Sequence, residues 1–418
     1  MRSIGVGIDI LFSMLSKRAS TTRLTPRLSS GLLIASAAVL FVLLSYLTLY
    51  APEIAEPKER KSRTRPLSQY AIVAGQQGMG GEGERPARAA ASNRTLGFGS
   101  IQFLNLPHRH DRADAAFLQA YLTDLELTRF PAVRAEDLRD QGLPPTEQPA
   151  RLNIREKACY RAHANVWQHM VEHRVPALMV LESDAAWDVG LKEIMATLNG
   201  PFRDLIAEAT GQAAAAPPDP SDPWMAGSGA WDVLHLGGCS DTWREGDPYR
   251  IYADPRAPAA KGPFDNLPAQ TRERRAVFRA YHMACPTAYA VTLRGAAKLL
   301  LRTAWNLEEP VDLAMSLMSM TGELKVYSVR QRIFAQWAYV PGIGMGARGA
   351  NSDINNQPAD DGMDGWEEAK RTHSVWGYKE QLYQDTDFKQ MAMHAAWDRI
   401  IGPKEPPRGD GGSLPSLP

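Results

Sequence analysis

Two carboxylates that directly follow a short apolar run are the residues best placed to do chemistry in this chain. Residues 177–181 (ALMVL) are apolar without interruption, as in a strand covered on both faces, and Glu182 and Asp184 come next. Ligands of open α/β sheets bind beyond the carboxyl ends of the strands. With one residue between them, both side chains can offer oxygens to one hard divalent cation, which would neutralise the diphosphate of a nucleotide-activated substrate. The alternative is that Ser183 or Asp184 caps the next helix.

A second polar group follows the first predicted strand. Residues 105–112 read NLPHRHDR, and Arg109 and Arg112 suit anionic oxygens because a guanidinium binds phosphate bidentately. Alternatively, this is a charged turn in which Asp111 caps a helix. The letters H-x-H-D also resemble the opening of a metallo-β-lactamase-type hydrolase motif. That motif requires a further histidine, and Arg112 occupies its place.

A third group lies on one predicted helix face, where Cys159, His163 and Trp167 recur every four residues. The histidine there is either a packed core residue or a ligand. The spacing of the three cysteines of the chain matches no zinc pattern and leaves at most one intramolecular disulfide. Residues 344–349 (GMGARG) match a dinucleotide fingerprint by letters only, because the required strand and helix are missing.

The elements that would position these groups alternate between strand and helix, which predicts an α/β fold with a parallel sheet. Pro310 and Asp312 open one further helix, as residues of a first helical turn do. Two long Pro-rich segments are predicted surface insertions or mobile lids. The predicted strands are 100–106, 177–181, 231–236, 288–292 and 323–329, the helices 112–129, 155–174 and one over 294–301, and the insertions 213–223 and 253–268.

The whole chain has 418 residues, a formal net charge of +0 and 44% hydrophobic residues, which suits a globular core and gives no nucleic-acid signature. Residues 31–50 are uncharged and mostly aliphatic, so one transmembrane helix is predicted to precede the folded part. The polar leader before this span is too long for a cleaved signal peptide. We divide the chain into a cytosolic basic tail (1–30), the transmembrane helix (31–50), a disordered stem (51–97), a catalytic domain (98–400) and a disordered tail (401–418).

Taken in order, the motifs resemble those of glycosyltransferase family 25, the group of lipopolysaccharide and collagen galactosyltransferases, and most closely its fungal membrane-bound branch. The pattern is N-L-x-x-R-x-D-R, then C-x-x-x-H-x-x-x-W, then L-E-x-D followed by a Trp-Asp pair. Ser183 replaces the more usual middle Asp, and Ala162 replaces a common Ser. The matching segments are 105–112, 159–167, 181–188, 231–239, 285–300, 310–312 and 352–354.

The resemblance implies a GT-A-like (Rossmann-like) nucleotide-sugar-binding fold, a divalent metal (Mn²⁺ or Mg²⁺), a UDP-sugar donor, a hydroxyl acceptor on a glycan or glycoprotein, and inversion at the sugar carbon, with galactose favoured. An acidic residue would remove the acceptor proton. Carried over by position, Glu182 and Asp184 are the metal-binding acidic motif. We assign Asn105, Arg109, Arg112 and His163 to the donor, and we name Asp312 first and Asp241 second as the base.

These expectations describe a single-pass type II membrane glycosyltransferase of the Golgi or endoplasmic reticulum with a lumenal catalytic domain. Basic residues flank the span on both sides and do not decide its orientation, but the sequon at Asn93 to Thr95 makes sense only in the lumen. In that oxidising compartment we expect Cys239 and Cys285 to pair and Cys159 to stay reduced. The alternatives are an inactive family member that serves as a lumenal binding or scaffold protein, and a metal-dependent phosphohydrolase.

Overall fold

A computed structural model describes residues 84–211, 219–258, 273–339, 353–354, 375–378 and 388–402. All of them lie in one compact unit, Ile72–Pro418. The predicted span at 31–50 and the letters at 344–349 lie outside the described residues, as do the basic tail and nearly all of the C-terminal tail. Within the described ranges no helix is both long and apolar enough to cross a bilayer.

The main sheet has nine strands in the order β2-β1-β3-β9-β5-β10-β8-β6, with β7 also paired to β8. Strands β2, β1 and β3 are mutually parallel, β9 is antiparallel to both β3 and β5, β5 and β10 are parallel, and β8 is antiparallel to β10, β6 and β7. Only β9 and β8 therefore run against the common direction. The strands are β1 Ile101–Asn105, β2 Leu127–Pro131, β3 Ala177–Glu182, β4 Ala185–Trp187, β5 Val233–His235, β6 Thr242–Trp243, β7 Tyr249–Ala253, β8 Arg274–His282, β9 Ala288–Thr292, β10 Val326–Arg330, β11 Phe334–Tyr339 and β12 Trp376–Tyr378.

Helices cover both faces of this sheet. Alternate residues of β3 fall into two separate buried clusters, with Met179 and Leu181 in one and Leu178 and Val180 in the other. The first cluster includes residues of α1, α2 and α4, and the second includes residues of α3, α5 and α6. The helices are α1 Glu84–Ala91, α2 His110–Thr123, α3 Ile154–His173, α4 Leu191–Thr210, α5 Leu293–Trp305, α6 Val311–Met320 and α7 Ala392–Ile400, with 3₁₀ turns at Ala135–Asp137, Asp140–Gly142 and Ala226–Ser228.

A small antiparallel sheet of β12, β11 and β4 extends from the end of β3. Its Ala186 and Trp337 share a third buried cluster with Ala115 of α2 and with Met391 and Met393 at the start of α7. Only two residues join β3 to β4. Because β11 pairs with β4, it holds this turn in place. The main-chain N–H of Trp337 donates to the carbonyl oxygen of Asp184 at 2.8 Å.

The prediction of a mixed α/β fold with a mostly parallel sheet is confirmed, and three boundaries are corrected. Residues 84–97, which we assigned to the disordered stem, form α1 and a turn, and Leu96 is fully buried. The helix predicted over 112–129 ends at Thr123, because Asp124 takes a left-handed conformation (φ 50°) and the chain enters β2. The strand predicted at 323–329 is β10, displaced toward the C-terminus.

Candidate active site

The predicted site residues meet at the carboxyl edge of β1 and β3. Leu104 is the register partner of Glu182, so Asn105 and Asp184 follow at the same edge. The antiparallel β9 begins there, and the main-chain N–H of Glu182 donates to the carbonyl oxygen of Thr287 at 2.9 Å. Three strands that are distant in sequence therefore converge on one edge.

The turn Ser183–Asp184 is held by Arg112. The Nη1 of Arg112 donates to the Ser183 hydroxyl at 2.8 Å and lies 3.6 Å from Oδ2 of Asp184. The side chain of Asp184 is 9% exposed and that of Glu182 18%. Ser183, which stands where the family usually has an aspartate, therefore accepts a hydrogen bond from an arginine instead of adding a third carboxylate.

Arg109 is bound by two carboxylates. It makes a bidentate pair with Asp111, with both contacts at 2.9 Å, and its Nη1 lies 2.5 Å from Asp353, which is also 3.6 Å from Arg112. Burial raises the pKa of Asp111, but the Arg109 guanidinium outweighs burial and holds that pKa below its ordinary value. Tyr339 adds a hydroxyl donor to Asp111 at 3.3 Å. The guanidinium of Arg109 is thus an organising group for this edge.

Negative charge exceeds positive charge here, since Arg109 and Arg112 face a larger set of carboxylates. With every group in its usual charged form, two guanidiniums against four carboxylates leave a formal excess of two negative charges. A divalent cation fits this excess, and oxygen ligands suit Mn²⁺ and Mg²⁺. The four carboxylates are Asp111, Glu182, Asp184 and Asp353.

His163 contacts both β3 and β9. Its Nε2 lies 3.4 Å from Oε1 of Glu182, and its Nδ1 lies 2.9 Å from the hydroxyl of Tyr289, to which Trp167 also donates. Among the described residues, Cys159, His163 and Glu182 bring potential metal-ligand atoms within 4.8 Å of one another, and Asp184 is not part of that group. Burial, followed by the charge of Glu182, raises the pKa of the Cys159 thiol.

A buried ion pair lies beside the first group. Nδ1 of His235 is 2.6 Å from Oδ2 of Asp241, and Nε2 of His235 faces the carbonyl oxygen of Cys285 at 3.1 Å. A carbonyl only accepts, so Nε2 carries a proton. Burial lowers the pKa of His235, but the Asp241 carboxylate outweighs burial, and the pKa is raised. Gly238 is required here, because a Cβ at that position would lie 2.4 Å from the Asp241 oxygens.

The carboxylate of Asp241, the second candidate base, is consequently occupied by neighbouring groups of the protein. It is 6% exposed, and besides His235 it accepts hydrogen bonds from the Ser328 hydroxyl and from the main-chain N–H of Ala284. With three donors on its carboxylate and almost no exposed surface, Asp241 is poorly placed to reach an acceptor hydroxyl. Its geometry makes it a support for the segment around Cys285.

Asp312 is more accessible than Asp241. It lies in the first turn of α6, is partly exposed, and its Oδ2 accepts from the main-chain N–H of Cys285 at 3.3 Å. Cys285 forms a disulfide with Cys239, and Cys159 is free, so that prediction is confirmed. Asp312 also adds to the rise in the pKa of the Cys159 thiol, which places its carboxylate in the same electrostatic neighbourhood as Glu182.

The eight predicted site residues lie at the ends of β1 and β3, in the segment that follows β5, and in or next to the helices α2, α3 and α6. His235, Tyr289 and Asp353 were not predicted as individual site residues, although each lies in or next to a family-like segment. The signal for His235 was a histidine in the next-to-last position of a predicted strand. For Tyr289, no sequence signal distinguished it from an ordinary core aromatic.

The hydrolase motif receives no support from the structure. His108 and His110 are both exposed, and within the described residues neither belongs to a group of potential metal ligands. Asp111, the third member of the motif, is bound by Arg109.

The mostly parallel α/β sheet is covered by helices on both faces and carries polar and acidic side chains at its carboxyl edge. This is the class of architecture in which ligands bind beyond the carboxyl ends of the strands. In comparison with known protein families, residues 101–209 match the model of glycosyltransferase family 25 (LPS biosynthesis protein), which confirms the resemblance over that segment. The activity of that family is glycosyl transfer in general. Among curated proteins, none matches this chain at a significant level.

Proposed function

We propose that this protein is a metal-dependent glycosyltransferase that transfers a sugar, with galactose favoured, from a UDP-sugar to a hydroxyl of a glycan or glycoprotein, with inversion at the sugar carbon. The observation that carries the proposal is the convergence of Glu182, Asp184 and the two arginines at the carboxyl edge of β1 and β3, within the family-matched segment.

The charge balance of the site supports the dependence on a metal. A nucleotide diphosphate is an anion, and an edge with a formal excess of two negative charges would repel it. Glu182 and Asp184 would hold the cation, and a bound cation supplies Lewis-acid stabilisation of the departing UDP. Arg112 keeps the Ser183–Asp184 turn in place, and Arg109 links α2 to Asp353.

Among the acidic residues, Asp312 is the best candidate for the base that takes the acceptor proton. Its carboxylate is partly exposed, and its position is fixed by the Cys285 main chain, which the disulfide in turn anchors to the end of β5. Residues 31–50 would anchor the protein in the membrane of the Golgi or endoplasmic reticulum, with this site in the lumen.

The test measures release of UDP by the full-length chain from a panel of UDP-sugars, with and without Mn²⁺ and with and without hydroxyl acceptors. We expect metal-dependent turnover that rises with an acceptor. Glu182→Ala and Asp184→Ala should abolish metal-dependent UDP binding while leaving the circular dichroism spectrum unchanged, because neither side chain belongs to the three buried apolar clusters. Glu193→Ala, which removes an exposed carboxylate on α4, is the matched control.

Two outcomes would overturn the proposal. Normal metal-dependent UDP affinity in both single variants removes Glu182 and Asp184 from the site. UDP binding without turnover on any donor favours an inactive, ligand-binding family member instead. The inactive alternative is favoured by Ser183, which stands where the family usually carries a carboxylate.

A further inference from the structure

We infer that Cys159, His163 and Glu182 form a second cation site, selective for a thiophilic divalent ion such as Zn²⁺. This site is distinct from the oxygen-ligand site proposed for Glu182 and Asp184, with which it shares only Glu182. Its chemistry differs because sulfur and imidazole ligands favour Zn²⁺, whereas carboxylates alone favour Mn²⁺ and Mg²⁺.

The geometry brings three ligand atoms together from two rigid elements. Cys159 and His163 lie one helical turn apart on the same face of α3, and Glu182 ends β3, where its main chain is bonded to Thr287. The sulfur, nitrogen and oxygen atoms lie within 4.8 Å of one another. Ligands of a tetrahedral zinc are separated by about 3.3–3.8 Å, as follows from metal–ligand distances of about 2.0–2.3 Å. Side-chain rotations that move these ligand atoms by about 1 Å would therefore bring them to zinc-binding distances.

The imidazole is already held as zinc-binding histidines are. His163 is 1% exposed, and its Nδ1 lies 2.9 Å from the Tyr289 hydroxyl, which leaves Nε2 directed toward Glu182. Metal-ligating histidines almost always donate their second N–H to a neighbouring oxygen. The hydroxyl of Tyr289 supplies that oxygen when the ring binds as its Nδ1–H tautomer. On binding, a sulfur–metal bond replaces the S–H bond of Cys159, and the proton passes to solvent.

Three protein ligands leave the fourth tetrahedral position open for water or a substrate oxygen. Because Glu182 serves both sites, one consequence rests on the proposed function: Zn²⁺ should compete with Mn²⁺ and inhibit transfer. The primary claim, binding of a thiophilic ion by the three side chains, is independent of that activity.

Cobalt(II) is the probe, because a Co²⁺–thiolate bond gives a charge-transfer band in the near ultraviolet and tetrahedral Co²⁺ gives intense visible bands. Titration of Co²⁺ into the full-length chain, without reductant so that Cys239 and Cys285 stay bonded, should produce these bands with one equivalent. Excess Zn²⁺ should abolish them. Absence of the thiolate band in the folded wild-type chain would overturn the proposal.

Variants identify the ligands. Cys159→Ala and, as a polar replacement, Cys159→Ser should lose the thiolate band with an unchanged circular dichroism spectrum, and retention of the band in either would refute the assignment. Tyr289→Phe, which removes only the hydroxyl that orients His163, should weaken Co²⁺ binding about 10- to 100-fold. An unchanged Co²⁺ affinity in that variant would contradict the role of His163.

Asp184→Asn separates this inference from the proposed function. Asp184 lies outside the three-residue group, so its variant should keep the Co²⁺–thiolate band while losing Mn²⁺-dependent UDP binding. Loss of the band there would show one merged site and overturn the claim of a distinct one. A wild-type chain that binds Co²⁺ through thiolate but never binds UDP would refute the proposed function alone.

Discussion

The buried pair of His235 and Asp241 makes the stability of this domain depend on pH. The Asp241 carboxylate holds the pKa of His235 above its usual 6.5, although burial lowers it. A raised folded-state pKa contributes stability that is complete below the unfolded pKa and is lost as the pH rises through the folded value. The melting temperature should therefore fall as the pH is raised above about 6.5, more steeply in the wild type than in His235→Gln.

Differential scanning fluorimetry across about pH 6 to 9 measures this difference. His173→Gln, which removes an exposed histidine at the end of α3, is the control and should retain the wild-type slope. Parallel pH profiles for the wild type and His235→Gln would show that the ion pair does not titrate in this range.

Asp312 and Asp241 are distinguished by different losses on substitution. Asp312→Asn should lower kcat by about 100-fold or more, with little change in donor KM, if Asp312 is the base. Asp241→Asn should instead lower the free energy of unfolding by about 3–5 kcal/mol, because it leaves a buried histidine without its ion-pair partner. Steady-state kinetics and denaturant unfolding of both variants check this, and a catalytic loss confined to Asp241→Asn would reverse the assignment.

At this scale the sequence gives residue types and spacing, but not the partners of each side chain. The E-x-D spacing and the shared helix face of Cys159, His163 and Trp167 could both be predicted, because each depends on local spacing in the sequence. The His163–Glu182 contact and the Arg109–Asp353 contact depend on how distant segments fold together. Asp241 was named as a candidate base because the sequence does not show its three hydrogen-bond donors, which come from other segments of the chain.

Among the elements, the disulfide is the covalent link that holds the site together. Cys239 follows β5 and Cys285 precedes β9, and the two are separated by 46 positions in the sequence. Closing a loop of that length constrains the unfolded chain by an amount equivalent to about 4 kcal/mol, which is an upper value when the reduced chain keeps residual structure. We expect Cys239→Ser to lose up to that amount of unfolding free energy in urea.

The same variant should also affect the site, since the main chain of Cys285 contacts both His235 and Asp312. Cys159→Ser is the matched control, because it removes a sulfur that is not in the disulfide. Equal stability of Cys239→Ser and the wild type under non-reducing conditions would show that the disulfide adds nothing to folding.

Strand positions were more predictable than strand directions. Residues 288–292 were recognised as a strand and form β9, but nothing in a local apolar pattern shows that β9 runs against its neighbours. Helix α4 was not predicted from the sequence, because Pro201 and Gly200 interrupt its helical pattern of apolar residues. Its amphipathic face nevertheless packs on the sheet. Strand β2 was taken as part of a helix, since no glycine marks the left-handed residue at Asp124.

At the level of the whole molecule, the prediction concerns the side of a membrane on which the domain would lie. We predict a lumenal domain, and the structure gives the sequon a place in the folded unit. Asn93 is exposed in a turn just after α1, where its side-chain oxygen accepts from the main-chain N–H groups of Thr95 and Gly97 at 2.8 and 3.0 Å. An exposed asparagine well past the span can carry a glycan. The predicted span, residues 31–50, would be short enough to suit the thinner membranes of the early secretory pathway.

Two measurements on the full-length chain in sealed microsomes decide the orientation. Treatment with an N-glycosidase should increase electrophoretic mobility, and both Asn93→Gln and Thr95→Ala should remove that shift, whereas Arg94→Ala, which leaves the sequon intact, should retain it. With tags at both ends, added protease should digest the N-terminal tag and spare the C-terminal one until detergent is present. The opposite pattern, with no glycan on the wild type, would place the domain in the cytosol, and the proposed transferase would then require a cytosolic acceptor.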